Sequence, residues 1–151
     1  MSMNPDECLF CKIAKGEVPS KKVYEDENAI AFLDINPANR GHCLVVPKKH
    51  SENIYDIDDN TLEKVIIIAK NLSKLIKEKL ECNGVNLVQN NERHAGQIVN
   101  HFHIHIIPRY ENDNVVITYQ RVQLSDADFE DVRKKLSETK KEPPRGWDFN
   151  V

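Results

Sequence analysis

The sequence lacks the features that mark several classes of protein. Its 151 residues include only five glycines and seven prolines, without an internal repeat or a low-complexity segment, which argues against a fibrous or disordered chain. No apolar run approaches the roughly 18 residues of a membrane span, and the polar start predicts no signal peptide. Hydrophobic residues make up 40% and charged residues 30% of the chain, which indicates one globular domain with a substantial core.

Basic residues are not in excess either. The net charge of −3 gives no electrostatic footprint for nucleic acid, so any phosphate ligand must be held by local groups. The four cysteines do not form the disulfide framework of a secreted protein, and Cys8-x-x-Cys11 is typical of a metal or redox site. We therefore expect a cytoplasmic protein that binds neither nucleic acid nor membrane.

What the sequence does contain is a row of histidines. His101, His103 and His105 occupy alternate positions, and a β-strand turns alternate side chains to the same face. The three imidazoles would then stand about 7 Å apart. The other face would enter the core, with these apolar residues: Phe102, Ile104 and Ile106. A core histidine explains one imidazole but not three in register, whereas metal binding is a serious alternative because His-x-His is a common ligand pair.

The remaining pattern predicts an α+β fold. Short strands are expected over residues 22–25, 29–34, 43–46, 85–89 and 102–108, with a short helix over 8–15. A long helix is expected over 61–81, where Asn60 and Glu63 can form a capping box and Gly84 can cap the C-terminus. We predict an antiparallel sheet of about five strands with the two main helices on one side.

A third helix and an irregular tail are expected after this sheet. Ser125 and Asp128 can open the helix, with Phe129, Val132 and Leu136 on one face, and the tail begins around Pro143. We treat residues 1–151 as a single domain, with its core at about 8–110 and a C-terminal extension over about 111–151.

The loop that precedes the histidine row is suited to an anion. Neutral imidazole can act as a nucleophile or as an acid or base near pH 7 when one ring nitrogen is held and the other is free. Residues 90–99 offer Asn and Gln side-chain amides and backbone N–H groups around Gly96, where a small residue lets the main chain approach a phosphate. By itself, this loop would be an ordinary turn.

Three segments together resemble the histidine triad (HIT) superfamily. Residues 96–109 (GQIVNHFHIHIIPR) are similar to the signature of that family, a Gly-Gln followed by three alternating histidines. Residues 32–37 and 41–50 are similar to the nucleotide-binding half of its Hint-like branch. The resemblance covers about two thirds of the chain and implies a HIT-like α+β fold.

The resemblance also implies an activity. Members of the branch hydrolyse nucleoside 5′-phosphoryl compounds, as purine nucleoside phosphoramidases that release AMP or GMP. By position, the resemblance implies that His103 would be the nucleophile and would form a nucleotidyl-histidine, which water would then hydrolyse. His105 matches the family position that contacts the phosphate and assists the leaving group, His101 matches the first histidine of the triad, and His42 matches a histidine near the triad.

The family's substrate-binding positions can be matched residue by residue. Its phosphate loop corresponds to Asn90, Gly96, Gln97 and Ile98, although Ile98 lacks the hydroxyl group found in many members. Asp34 matches the carboxylate that binds both ribose hydroxyls. The base cleft matches these apolar residues: Phe10, Ile13, Phe32, Ile35 and Leu44. Without the resemblance, the apolar residues read as core and Asp34 as the cap of a turn.

Zinc is the cofactor that the resemblance implies, at one ion per chain. The ligands would be Cys8, Cys11, His50 and His101. Such a closed set of two thiolates and two imidazoles is a structural site, without an open position for water. A thioredoxin-like redox pair at Cys8 and Cys11 is the alternative, although no βαβ pattern surrounds it.

Other functions and the oligomeric state stay open. Arg109 after the triad is also compatible with a dinucleoside polyphosphate hydrolase, and a nucleotide-binding interaction module with incidental catalysis is an alternative of another class. The resemblance implies a homodimer paired through the long helix and a strand. Three successive isoleucines at 66–68 cannot all face one sheet, which leaves apolar surface for an interface unless Ile67 packs under the C-terminal helix.

Overall fold

The computed structural model describes residues 6–118 and 120–137. The chain divides into two compact units, Met1–Val115 and Val116–Val151, and the first contains the whole sheet. Its elements are α1 (Leu9–Ala14), β1 (Lys22–Glu25), β2 (Ala29–Leu33), β3 (Cys43–Pro47), α2 (Asp59–Leu80), β4 (Gly84–Val88), a 3₁₀ turn (Arg93–Ala95) and β5 (Ile104–Arg109). The second unit contains α3 (Asp126–Ser137).

The sheet has five antiparallel strands in the order β1-β2-β3-β5-β4, as the sequence predicts. Observed strand ends lie within two residues of the predicted ones. At the centre of the sheet β3 pairs with β5, and Leu44 lies opposite His105. This register brings the predicted base cleft and the histidine row onto the same face, because directly paired residues project to the same side of a sheet.

The two helices of the first unit cover opposite faces of the sheet, so the prediction that both lie on one side was wrong. The α2 helix packs over Phe102, Ile104 and Ile106, whereas α1 packs over Phe32 and Leu44. The physical reason lies in β3, which is apolar and buried at all five positions. A strand that is apolar on both faces requires cover on both.

The long helix begins two residues earlier than predicted. Asp58 caps it by accepting hydrogen bonds from the backbone N–H and hydroxyl group of Thr61, so the predicted Asn60–Glu63 capping box was wrong. At its C-terminus Glu81 adopts a left-handed φ of 53°, and Gly84 instead opens β4. A stripe of buried residues faces the sheet: Val65, Ile68, Ala69, Leu72 and Ile76.

In the described part of the second unit, α3 is the only helix or strand. The predicted capping box of α3 is confirmed, since the Asp128 backbone N–H donates to Ser125 Oγ and the Asp128 carboxylate accepts from the Ser125 backbone N–H. No residue of α3 is buried. The predicted tail at Pro143 lies outside the described residues. Among the helices of residues 6–118 and 120–137, none has the length and apolar character that a bilayer crossing requires.

Candidate active site

Of the histidine row, only His105 lies within β5; His101 and His103 directly precede the strand, against the short helix. Phe102 is fully buried under α2, as the alternation predicts. The histidines on the opposite side are buried too, at 0% exposure for His101 and 5% for His103, because α1 covers them. The Phe10 ring of α1 meets the His103 ring edge-on, with centroids 5.1 Å apart.

One ring nitrogen of His103 is held by the backbone. Its Nδ1–H donates to the carbonyl oxygen of His101 over 2.6 Å, so the lone pair must reside on Nε2. Burial lowers the pKa of His103, against the opposing effects of the carbonyl hydrogen bond and of Asp34. His103 is therefore a neutral imidazole with one available lone pair, which is the state that a nucleophile needs.

A second hydrogen-bond chain fixes the tautomers of His42 and His105. The Ala38 backbone N–H donates to His42 Nδ1 at 3.0 Å, so the proton of a neutral His42 resides on Nε2. That Nε2–H donates to His105 Nδ1 at 2.9 Å, which leaves the His105 proton on its own Nε2. Burial lowers the pKa of His42, and burial with the neighbouring His103 and His42 lowers that of His105 to about 4. A lone pair at His103 thus stands beside an N–H donor at His105, with ring centroids 4.9 Å apart.

These groups open into a cavity of about 400 Å³, a size typical of small-molecule sites. Twelve of the residues predicted from the sequence line it: Phe10, Ile13, Phe32, Asp34, Ile35, His42, Leu44, Asn90, Gly96, Ile98, His103 and His105. Leu9, Asn36 and Val99 also line it and were not predicted. Each of the three lies within two residues of a predicted position, which is the only signal that the sequence offers for them.

Asp34 combines the two roles that the sequence left open. Its Oδ1 accepts a hydrogen bond from the Asn36 backbone N–H at 2.8 Å, as the cap of a turn would. The same side chain lines the cavity, and its Oδ2 lies 3.7 Å from His42 Nε2. The turn therefore holds the carboxylate in a fixed place at the cavity wall.

The predicted phosphate loop reaches the cavity only in part. Asn90, Gly96 and Ile98 line it, and Gly96 has a φ of +89°, which a residue with a Cβ rarely adopts. Gln97 does not line the cavity, contrary to expectation: its amide donates to the Glu52 carbonyl at 2.6 Å and accepts from the Glu92 N–H at 2.7 Å. The buried Gln97 side chain therefore links the loop to the backbone of Glu52 and does not face the cavity.

Two cysteines and two histidines, including His101 of the triad, form a cluster outside the cavity. Its four side chains come from α1 and the residue before it, from the segment after β3 and from the approach to β5, namely Cys8, Cys11, His50 and His101. The sulfur-to-nitrogen distances are 3.4 Å for Cys8–His101, 3.3 Å for Cys11–His50 and 3.5 Å for Cys11–His101, and the two Nδ1 atoms lie 3.3 Å apart. Ligands of one tetrahedral zinc ion are separated by about 3.3–3.8 Å, so the spacing fits.

The protonation of this cluster also fits a cation. His101 Nε2–H donates to the Pro47 carbonyl at 2.8 Å, which leaves a lone pair on the Nδ1 that faces the thiols. Burial, with Cys8 beside it, raises the pKa of Cys11 to about 11, and a bound cation would reverse this effect. His101 does not line the cavity; its side chain lies in the cysteine–histidine cluster, where the sequence also predicted it as a ligand.

Known proteins match both the sequence and the fold. The HIT domain profile matches residues 15–112. An uncharacterized HIT-like protein of Methanocaldococcus jannaschii is 50% identical over 129 residues, which cover 85% of this chain and 98% of that protein. An adenosine 5′-monophosphoramidase of Saccharomyces cerevisiae is 40% identical over 121 residues, covering 80% of this chain and 74% of the yeast protein.

Solved structures agree. A HIT family protein from Bacillus subtilis superposes with a TM-score of 0.83 at 35% identity and covers 91% of this chain and 99% of its own. A zinc-bound histidine triad family protein from Mycobacterium smegmatis has a TM-score of 0.71 at 31% identity, with 88% and 95% covered. The profile match spans well over half of the chain, and the M. jannaschii relative is well above 30% identical over most of it. The chain therefore belongs to the HIT family.

Proposed function

We propose that this HIT family hydrolase is a purine nucleoside phosphoramidase, which cleaves the P–N bond of an AMP- or GMP-type phosphoramidate. The observation that carries the proposal is the hydrogen bond from His103 Nδ1–H to the His101 carbonyl, which leaves a neutral nucleophile facing a nucleotide-sized cavity. The yeast relative, named for activity on adenosine 5′-monophosphoramide, supports this substrate class.

The first chemical step forms a nucleotidyl-histidine. The lone pair on His103 Nε2 attacks the α-phosphorus, and the P–N bond to the amine breaks. The bonding electron pair leaves with the amine nitrogen, which takes up one proton from water at the cavity mouth. His105 contributes its Nε2–H as a hydrogen-bond donor to the phosphoryl group and, like His42, stays neutral throughout.

The second step returns the enzyme to its starting state. A water molecule attacks the phosphorus, the bond from phosphorus to His103 Nε2 breaks, and the imidazole leaves as a neutral base. The water proton is released to solvent, which balances the proton consumed in the first step. The His101 carbonyl holds Nδ1–H in both steps, so the ring does not change tautomer.

The cavity divides into a polar and an apolar part that match a nucleotide. Asp34 would accept hydrogen bonds from the ribose hydroxyls, and the Gly96 segment would give backbone N–H groups to the phosphate. The buried rings of Phe10 and Phe32 would enclose the base. Ile35, at 89% exposure, and Ile98, at 93%, would become covered when the nucleotide binds.

We also propose that the cluster of two cysteines and two histidines holds one structural zinc ion per chain. The ligand spacing and the lone pair on His101 Nδ1 support this assignment, and the zinc-bound M. smegmatis neighbour agrees with it. Zinc would cross-link the segments that carry its four ligands. It would not activate water, because four protein ligands leave no coordination position for a water molecule. It would tie α1 to the residue whose carbonyl orients His103.

Substrate comparison tests the proposal against a dinucleoside polyphosphate hydrolase. Arg109, the residue that suggested the alternative, donates to Asp113, Asn86 and the Val115 carbonyl, so its guanidinium is already engaged. We expect turnover of adenosine 5′-phosphoramidate to exceed that of diadenosine tetraphosphate at equal concentration. The reverse order would overturn the proposal.

A further inference from the structure

Asp113 is a partly buried residue just past the end of the family match, and its carboxylate accepts several hydrogen bonds. Its side chain is 8% exposed and forms a bidentate ion pair with Arg109, at 2.8 and 2.9 Å. Its oxygens also accept from the backbone N–H groups of Tyr110 and Val115. The Arg109 guanidinium and the Tyr110 N–H hold the pKa of this carboxyl far below its usual range. Asp113 is therefore a fixed anion.

A fifth donor to this anion comes from the active-site side. Asn39 Nδ2 donates to Asp113 Oδ2 at 3.0 Å, across 74 positions of sequence. Nearby, the Tyr110 hydroxyl group donates to the Arg40 carbonyl at 3.1 Å. Two hydrogen bonds thus fasten the turn at residues 38–42 to the segment that follows β5.

The same turn determines which ring nitrogen of His42 carries the proton. The His42 backbone N–H donates to the Asn39 carbonyl at 3.1 Å, and the Ala38 N–H donates to His42 Nδ1. Because a backbone N–H can only donate, its position decides which nitrogen of His42 carries the proton. His42 in turn decides the tautomer of His105.

We propose that Asp113, acting through Asn39, is a positioning residue that holds this turn so that His105 offers an N–H to the substrate. The inference rests on the phosphoramidase function proposed above. Without the link, Ala38 can move away and His42 can place its proton on Nδ1. His42 Nε2 would then accept from His105 Nδ1, and His105 would lose its donor on Nε2. The other groups that face these two rings are Asp34 and His103.

Asn39→Ala tests the inference because it removes the link while the Arg109–Asp113 ion pair stays. A matched control is Asn83→Ala: Asn83 holds the same segment from the other side, through the Glu111 N–H at 2.8 Å, without a hydrogen bond to the turn. Long-range ¹H–¹⁵N NMR spectra report the histidine tautomers directly. We expect Nε2–H forms of His42 and His105 in the wild type and in Asn83→Ala, and mixed tautomers in Asn39→Ala.

Kinetics give the second readout. We expect Asn39→Ala to lower kcat by about tenfold, with AMP affinity within about twofold, and Asn83→Ala to change neither beyond twofold. If Asn39→Ala does not fold, Tyr110→Phe can be used instead, because it removes the second hydrogen bond to the turn. We expect this variant to show mixed tautomers and a lower kcat as well, with smaller changes than in Asn39→Ala. Wild-type tautomers with unchanged kcat in the folded variant would overturn the inference, as would equal losses in the control. A wild type without phosphoramidase activity would instead refute the proposed function, and the NMR spectra would still test the link.

Discussion

The carbonyl oxygen of His101 accepts the Nδ1 proton of His103 over 2.6 Å. The His101 side chain meanwhile faces Cys8 and Cys11 at 3.4 and 3.5 Å. One residue thus joins the proposed zinc site to the proposed nucleophile, through its imidazole on one side and its backbone on the other. We therefore expect a change at the proposed zinc site to alter the reactivity of His103.

The nucleophile can be tested by removing it. We expect His103→Ala to lower phosphoramidate turnover by several orders of magnitude, because covalent catalysis is lost, while AMP still binds through the ribose and base contacts. Steady-state kinetics and calorimetry measure the two effects. His94→Ala is the control, since His94 is exposed and does not line the cavity, and it should keep wild-type activity. Near-normal turnover of His103→Ala would favour direct attack by water.

The proposed zinc site predicts one zinc ion per purified chain. Cys11→Ser should lose the zinc and lower the melting temperature, because metal binding contributes to folding free energy. Cys43→Ala is the matched control, as a buried cysteine outside the cluster that should keep full zinc content. Metal analysis and thermal unfolding provide the readouts. A zinc-free wild type of full stability would contradict the assignment.

Asp34→Asn should weaken recognition of the ribose. The amide keeps one acceptor oxygen where the carboxylate had two, and a hydrogen bond to a charged group is worth roughly 1.5–3 kcal/mol. We expect the preference for AMP over 2′-deoxy-AMP to shrink about tenfold, with the fold retained. Equal preference in variant and wild type would leave Asp34 with its role in the turn alone.

Acid should destabilise the fold through His105. Burial, with the neighbouring His103 and His42, lowers its pKa in the folded state to about 4, whereas the unfolded value is about 6.5. Between these values the unfolded chain binds more protons, so the free energy of unfolding falls as the pH drops through this window. Between pH 7 and pH 5, the free energy of unfolding of the His105→Gln variant should fall by about 1–2 kcal/mol less than that of the wild type. Urea denaturation measures both. Parallel curves for the two proteins would contradict this.

The exposed apolar residues of α2 predict a homodimer. Ile66 and Ile67 are 44% and 53% exposed, and Leu87 on the edge strand β4 is 45% exposed. Pairing of two chains through this surface would cover them. Light scattering at micromolar concentration should give twice the mass of the 17.4 kDa chain, and Ile67→Asp should lower it. A wild-type mass of one chain would exclude the dimer.

Local patterns carried much of the prediction. The alternation of His103 with Phe102 and Ile104 correctly separated the face under α2 from the histidine row, because a strand's period of two is set by its backbone. The helical period likewise located α2. Its first residue was misplaced because Asp58 and Asn60 are both good capping residues, and only the contact of Asp58 with Thr61 selects between them.

Long-range contacts explain what could not be predicted. Gln97 was expected to face the phosphate, but it bonds the carbonyl of Glu52, 45 positions away. The Asn39–Asp113 hydrogen bond spans 74 positions and leaves no periodic trace in the sequence. The placement of α1 and α2 on opposite faces, by contrast, has a local signal, because β3 is apolar at all five positions and therefore needs cover on both faces.

In the proposed mechanism, His103 forms a covalent bond to the nucleotide. The most direct test mixes the protein briefly with adenosine 5′-phosphoramidate, quenches the reaction and locates the adduct by mass spectrometry of peptides. We expect an adenylyl group on His103, absent from the His103→Ala protein. Product formation without a trapped nucleotide, or an adduct on a different residue, would contradict it.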